Sequence, residues 1–134
     1  MAADSTLDQY IRAWCHHADG LRETADEMIA AVTQDFRYED IHYSGHWEGA
    51  EGVREVCTIA STMYPGMKIE VVNRMVSHNG VWSMEWTFGG LHRKSGQSFR
   101  CNGASFGLLR AGRVHLQRDY WSLIQLESQT GPRL

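Results

Sequence analysis

The chain has 134 residues, of which 43 % are hydrophobic and 22 % charged, a composition that fits one ordinary globular domain and excludes a largely disordered chain. Its net charge is −3 and its densest basic spot, His92-Arg93-Lys94, falls at an expected hairpin tip, so nucleic acid is not an expected partner. The opening Met1-Ala2-Ala3-Asp4-Ser5 lacks a basic stretch leading into an apolar run, and no apolar run reaches membrane-spanning length; no signal peptide and no membrane partner are expected, and the expected location is cytoplasmic.

A single domain over 1–134 is expected, with disorder confined to Met1–Ser5 and Ser128–Leu134. Ser5 or Thr6 can cap a first helix, on which Leu7, Tyr10, Ile11 and Trp14 share a face, and Asp19-Gly20 ends it. A second helix is expected from Arg22 to Thr33, with Ala25, Met28, Ile29 and Val32 inward. Phe36 to Tyr43 is aromatic and β-branched and reads as a strand. Gly45–Gly49 reads as a loop. A third helix presents Val53, Val56, Cys57, Ala60 and Tyr64, and Pro65-Gly66 stops it. Four long antiparallel strands follow: Lys68–Ser77, Val81–Leu91, Gln97–Leu109 and Arg113–Leu126. Asn79-Gly80, Arg93–Gly96 and Ala111-Gly112 supply the turns. The fold class is α+β, with three helices from the N-terminal half on the concave face of a strongly curved sheet. Five Trp, five Tyr and four Phe are available to line a cavity there or to fill its core.

Strand alternation puts Gln117, Asp119 and Trp121 on one face and Arg118 and Tyr120 on the other. A carboxylate beside Trp121 in an apolar cavity loses hydration, which raises its pKa toward the range useful to a general acid or base; the alternative is an Asp119 neutralised by an Arg. The same alternation aligns Tyr38, Asp40 and His42 as a polar end for the cavity. Two carboxylates sharing that space would not both ionise easily, so one should hold a proton. Trp86, Phe88 and Trp121 are candidate walls, with Trp14 and Tyr43 as further aromatic lining. Asn102, if it points inward with Ala104, could donate to a developing oxyanion.

Three patterns invite a different reading and are set aside. Gly103-Ala104-Ser105-Phe106-Gly107 matches Gly-x-Ser-x-Gly but lies inside a strand, without the strand–turn–helix setting of a nucleophile elbow. His42 and His46, near Asp40, fall on strand and loop rather than on one helix face, so no metal is expected. Cys15-His16-His17 has Cys/His types, but adjacent helical residues do not face each other. The three cysteines, Cys15, Cys57 and Cys101, form no Cys-x-x-Cys pair and read as buried thiols.

From Leu7 to Leu126 the order of elements resembles the nuclear transport factor 2-like superfamily, which includes SnoaL-like polyketide cyclases, ketosteroid isomerases, scytalone dehydratase and limonene epoxide hydrolases. The resemblance implies a cone-shaped α+β barrel with a mixed, mainly antiparallel sheet. Arg118-Asp119-Tyr120-Trp121 is similar to the Arg-Asp-Tyr-aromatic end of the cyclases and epoxide hydrolases, where the Asp is the catalytic base, a role implied for Asp119. Tyr120-Trp121-Ser122 is similar to the Tyr-Trp-Ser of the isomerases. Tyr38-Glu39-Asp40 is similar to two of these families: the isomerases place a proton-shuttling Asp at Asp40, and the epoxide hydrolases a water-holding Tyr and Asn at Tyr38 and Asp40. Trp86 and Phe88 replace the Arg and Asp that epoxide opening requires, and about Ala104 replaces the isomerases' protonated Asp. The helix-borne Tyr of the isomerases has Tyr10, Trp14 and His16 as candidate counterparts.

The expectation is therefore a cofactor-independent lyase, cyclase or isomerase acting by carboxylate acid–base chemistry on a hydrophobic, aromatic or polycyclic small molecule. Epoxide hydrolase- or hydratase-like chemistry and a non-catalytic ligand-binding or dimerisation module are the alternatives. A homodimer is expected through the outer sheet face, where Met75, Leu116 and Tyr120 would otherwise leave an apolar patch.

Overall fold

The structure is a computed structural model that describes residues 2–41 and 45–131. Its order is α1 (Ala2–Trp14), α2 (Arg22–Ala31), β1 (Val32–Asp40), β2 (Gly45–Glu48), α3 (Gly49–Met63), β3 (Lys68–Val76), β4 (Val81–Leu91), β5 (Ser98–Arg110), β6 (Arg113–Trp121) and α4 (Leu123–Thr130). One sheet runs β2-β1-β6-β5-β4-β3. Its neighbours are antiparallel except for β1 and β6, which are parallel and bring Asp40 beside Asp119 in register. The expected α+β class and mixed, mainly antiparallel sheet are what the chain forms.

Helices α1, α3 and α4 pack against the sheet, and α2 packs on α1 and α3. On α1, Leu7, Tyr10, Ile11 and Trp14 are all buried, and on α3 Val53, Val56, Cys57 and Ala60 are. They meet Phe36 and Tyr38 of β1, Trp82, Met84, Trp86 and Phe88 of β4, and Phe99 and Cys101 of β5 in one continuous core. A large side chain so buried contributes about 1.5–3 kcal/mol, which fixes which face of each strand turns inward. On β6 a bulge adjusts that choice. Leu109 pairs with Val114 while Leu108 pairs with Leu116, so His115 is an extra residue. Val114 and Gln117 can then both point into the core, and Gln117, Asp119 and Trp121 continue on that side.

Several boundaries differ from the sequence expectation. Helix α1 begins at Ala2 and closes at Trp14, and residues 15–18 form turns. Helix α2 stops at Ala31, and the strand begins at Val32 rather than Phe36. The expected loop at Gly45–Gly49 holds the short strand β2, with Trp47 paired to Tyr38 and their rings edge to face at 6.2 Å; three residues between two glycines carry too little pattern to announce a strand. The last strand ends at Trp121. Ser122 accepts a hydrogen bond from the Gln125 backbone N–H at 3.1 Å, a cap that starts α4 where continued strand and then disorder were expected. Gln125 and Gln129 of α4 then take up backbone groups of β5 beyond the end of β6: Gln125 Oε1 accepts from Asn102 N–H at 2.9 Å, Gln129 Oε1 from Arg100 N–H at 2.8 Å, and Gln129 Nε2 donates to the Arg100 carbonyl at 2.8 Å.

None of the helices among the described residues is long and apolar enough to cross a membrane. On the outer sheet face Met75 is 68 % and Tyr120 44 % exposed, but Leu116, expected there as a third exposed residue, is buried.

Candidate active site

The inner face of the sheet, the end of α1 and one side of α3 form the walls of a cavity whose empty volume, counted together with the open solvent at its mouth, is about 660 Å³. Trp86 and Phe88 form one wall, Trp14 and Trp121 stand at its ends, and Met63 and Tyr64 close the helix side. Local sequence explains the wall. Trp82 and Trp86 of β4 lie opposite Gly107 and Gly103 of β5. A Cβ at Gly103 would stand 2.2 Å from the Trp86 ring, and one at Gly107 2.0 Å from the Trp82 ring. The two glycines therefore let both indoles lie flat across β5. Ser105 between them points inward too, which accounts for the Gly-x-Ser-x-Gly spacing without a nucleophile elbow.

Asp119 is buried, 4 % exposed, and lines this cavity. Its Oδ1 accepts from Ser105 Oγ at 2.6 Å and from Gln117 Nε2 at 2.8 Å, and its Oδ2 accepts a hydrogen bond from the Tyr38 hydroxyl. Burial raises its pKa to about 7; hydrogen bonds from Ser105, Tyr38 and Gln117 oppose the rise, and neighbouring Asp40 adds to it. No cation pairs with it among the described residues, since Arg118, next in sequence, turns to the outer face and donates to Glu39 at 2.5 Å.

The groups around Asp119 are themselves fixed. Tyr10 donates to Gln117 Oε1, which leaves the Gln117 amide N–H groups to face the carboxylate. Trp86 Nε1 donates to Ser105 Oγ at 2.9 Å, and Trp14 Nε1 to the Tyr38 oxygen at 3.0 Å. Burial, then the Asp119 charge, raises the pKa of both Tyr10 and Tyr38 well above the usual value, so both phenols stay protonated and can donate. Such a fully partnered network holds the carboxyl group in one place.

The structure brings together Asp119, Asp40, Tyr38, Trp86, Phe88, Trp121 and Trp14 around one cavity. Asp40 is half-buried and accepts from Trp121 Nε1 at 3.0 Å. Asn102 is not among them: its side of β5 alternates outward with Ala104, and it is exposed. The expectation that it donates to an oxyanion is therefore corrected; the inward residue of that stretch is Ser105. His42 and Tyr43 lie outside the described residues. Of the three candidates on the first helix, Trp14 enters the cavity, Tyr10 lies behind Gln117, and His16 is exposed and pairs with Asp19 at 3.0 Å. Ser105, Gln117, His17 and Trp47 are the additions. Gln117 was legible as an alternation partner of Asp119, whereas His17 depends on a turn that sequence spacing does not define.

Similarity to known proteins agrees with this architecture. The SnoaL-like domain profile matches residues 7–116. The chain belongs to the SnoaL-like domain family. The match stops short of Gln117–Trp121, so the site strand is read from its own geometry. Among curated protein sequences none matches significantly. Among solved structures, this SnoaL-like chain is similar to a hypothetical protein with a ketosteroid isomerase-like fold from Catenulispora acidiphila, in complex with trimethylamine, at TM-score 0.80 and 17 % identity over 93 % of this chain and 94 % of that one. A putative SnoaL-like polyketide cyclase from a Jannaschia species gives TM-score 0.80 and 16 % identity, covering 96 % and 93 %. A putative polyketide cyclase from a Silicibacter species gives 0.74 and 18 %, covering 96 % and 94 %. At these identities the likeness is one of fold, and the cone-shaped arrangement of these proteins is shared.

Proposed function

We propose that this SnoaL-like chain is a cofactor-independent lyase, cyclase or isomerase in which Asp119 moves a proton on a hydrophobic, aromatic or polycyclic substrate. The observation that carries the reading is a buried carboxyl group with no cation paired to it among the described residues, its pKa raised to about 7 by burial, at the wall of a largely apolar cavity. A structural carboxylate would be paired or solvated; one poised near neutrality can take a proton and return it.

In the proposed step the Asp119 carboxylate removes a proton from carbon next to a carbonyl or in a benzylic position. The C–H electron pair passes to the carbonyl oxygen as an enolate. The new carboxylic acid, protonated on Oδ2, donates to the Tyr38 oxygen, and the Tyr38 hydroxyl hydrogen is released to turn toward the cavity. Tyr38 is thus the donor for the developing oxyanion, held by Trp14 Nε1 on its other side. Returning the proton elsewhere gives isomerisation; loss of a leaving group or attack by the enolate gives elimination or ring closure. Asp40, its neighbour across the β1–β6 pairing, raises the Asp119 pKa and so favours its protonated form.

The test needs no knowledge of the natural substrate. With 2-tetralone, an aromatic ketone with acidic C–H bonds, the protein should accelerate hydrogen–deuterium exchange beside the carbonyl, read by NMR in D₂O. The rate should rise with pH through about 7, because the base must be ionised. If the wild type and Asp119→Asn exchange this and related ketones no faster than buffer, the reading gives way to a ligand-binding module. We also propose a homodimer through the outer sheet face, supported by exposed Met75 and Tyr120; light scattering at micromolar concentration should give twice the chain mass.

A further inference from the structure

His17 lies in the turn that follows α1. Its backbone N–H donates to the Trp14 carbonyl at 3.0 Å, and its Nδ1 lies 2.6 Å from that same oxygen. A carbonyl only accepts, so Nδ1 carries the hydrogen. The ring stacks on the Trp14 indole with centroids 5.5 Å apart and planes within 12°. These two contacts fix both the plane of the imidazole and the edge it turns to the helix. Burial lowers its pKa to about 4, against the Trp14 carbonyl and Asp19, so near neutral pH the ring is uncharged and Nε2 is a lone pair.

That lone pair has no partner among the described residues, yet it is not sealed in. The only buried side-chain nitrogen or oxygen among them that lacks a partner is Trp82 Nε1, while His17 lines the cavity. Three indole N–H groups around the same space are committed: Trp14 to Tyr38, Trp86 to Ser105 and Trp121 to Asp40. Nε2 is therefore an open acceptor on an otherwise apolar wall, on a different element from the β6 carboxyl group. Once a ligand fills the cavity and excludes water, an acceptor left without a donor becomes costly, which selects a ligand that supplies one.

We propose that His17 is a specificity-determining residue whose Nε2 accepts a hydrogen bond from a neutral hydroxyl, phenolic or enolic, on the aromatic substrate. This rests on the reading of the cavity as a substrate site. A neutral acceptor in apolar surroundings accommodates an O–H and disfavours an ether or a carboxylate at the same point.

The experiment compares 2-naphthol with 2-methoxynaphthalene, which differ by the donor, in calorimetric titrations of the full chain. The wild type should bind the naphthol about three- to tenfold more tightly, and His17→Phe, which keeps a flat ring, should bring the two affinities together. In the wild type, long-range ¹⁵N–¹H spectra should show the His17 Nε2 resonance moving with 2-naphthol and not with the ether; this arm needs no variant to fold. A wild type without preference, a preference that survives in His17→Phe, or a stationary Nε2 resonance overturns the assignment. If the ether and the naphthol bind equally well, only the role of His17 fails; if neither binds, the cavity reading itself fails.

Discussion

Asp119 and Glu39 are carboxylates on adjacent strands, one residue out of phase, and they face opposite sides of the sheet. Asp119 points inward, where burial dominates and raises its pKa to about 7. Glu39 points outward between Arg37 and Arg118. Burial pushes Glu39 up as well, but the hydrogen bonds from Arg118 and then Arg37 win, and its pKa is lowered. Like groups thus receive opposite treatment from a two-residue alternation. Among the described residues the inner carboxyl group is held by neutral donors, and the outer one by guanidinium groups that fix its charge. Ser105, Gln117 and Tyr38 orient Asp119 without neutralising it, which is what a proton-transfer group requires.

The comparison breaks first, and most visibly, at Asp119→Asn. If Asp119 is the base, exchange or turnover should fall by about 10²–10⁴-fold, and the rise of rate through neutral pH should vanish with it. Normal catalysis in this variant would remove the distinction between the two carboxylates.

The same variant should show an effect on stability of opposite direction. The folded-state pKa of Asp119 lies above its usual 3.8, at about 7. Between those values the native state binds more proton than the unfolded chain, so ionisation erodes stability as pH rises and the erosion is complete above about 7. Asp119→Asn escapes it. The variant-minus-wild-type difference in unfolding free energy should therefore grow by up to about 4 kcal/mol between pH ~4 and ~8. His17, lowered to about 4, contributes with the opposite sign but is common to both proteins and cancels in the difference. Urea denaturation across that range measures it; a constant difference would mean Asp119 is ionised throughout.

Ser105→Ala sharpens the inner half. Ser105 gives the largest of the hydrogen-bond contributions that hold the Asp119 pKa down. Its loss should move the pH midpoint of activity upward by roughly one to two pH units, the worth of a hydrogen bond to a charged group. Glu39→Gln tests the outer half and should do least. Stability near neutral pH should drop by about 1 kcal/mol or less in thermal unfolding, with the pH dependence of exchange unchanged. A shifted profile would show that the two faces of the sheet are coupled.

How much of this was legible in the sequence follows from how local each signal is. Period-two alternation on Gln117-Arg118-Asp119-Tyr120-Trp121 separates the two faces directly, and Asn79-Gly80 and Ala111-Gly112 announce their turns. Alternation could not be carried to Asn102, because its phase depends on where β5 meets β4 and β6. The Gly-x-Ser-x-Gly stretch illustrates the same limit. Its glycines make sense only once Trp86 and Trp82 are known to lie opposite them, which is a tertiary fact. The bulge at His115 and the turn carrying His17 likewise arise from packing between elements distant in sequence. The segment at Leu123–Thr130 departs from the expectation because Leu-Ile-Gln-Leu suits strand and helix alike, and the single cap at Ser122 decides it.

That helix carries a consequence for handling the molecule. Strand β5 outruns β6, and at Arg100 and Asn102 its backbone donors are taken up by glutamine side chains of α4. A chain cut after Trp121 would present those groups as a bare strand edge, a template on which another copy can add its own strand. The C-terminal helix is thus a guard against fibrous self-association, and a shortened version of this protein should lose solubility before it loses its cavity.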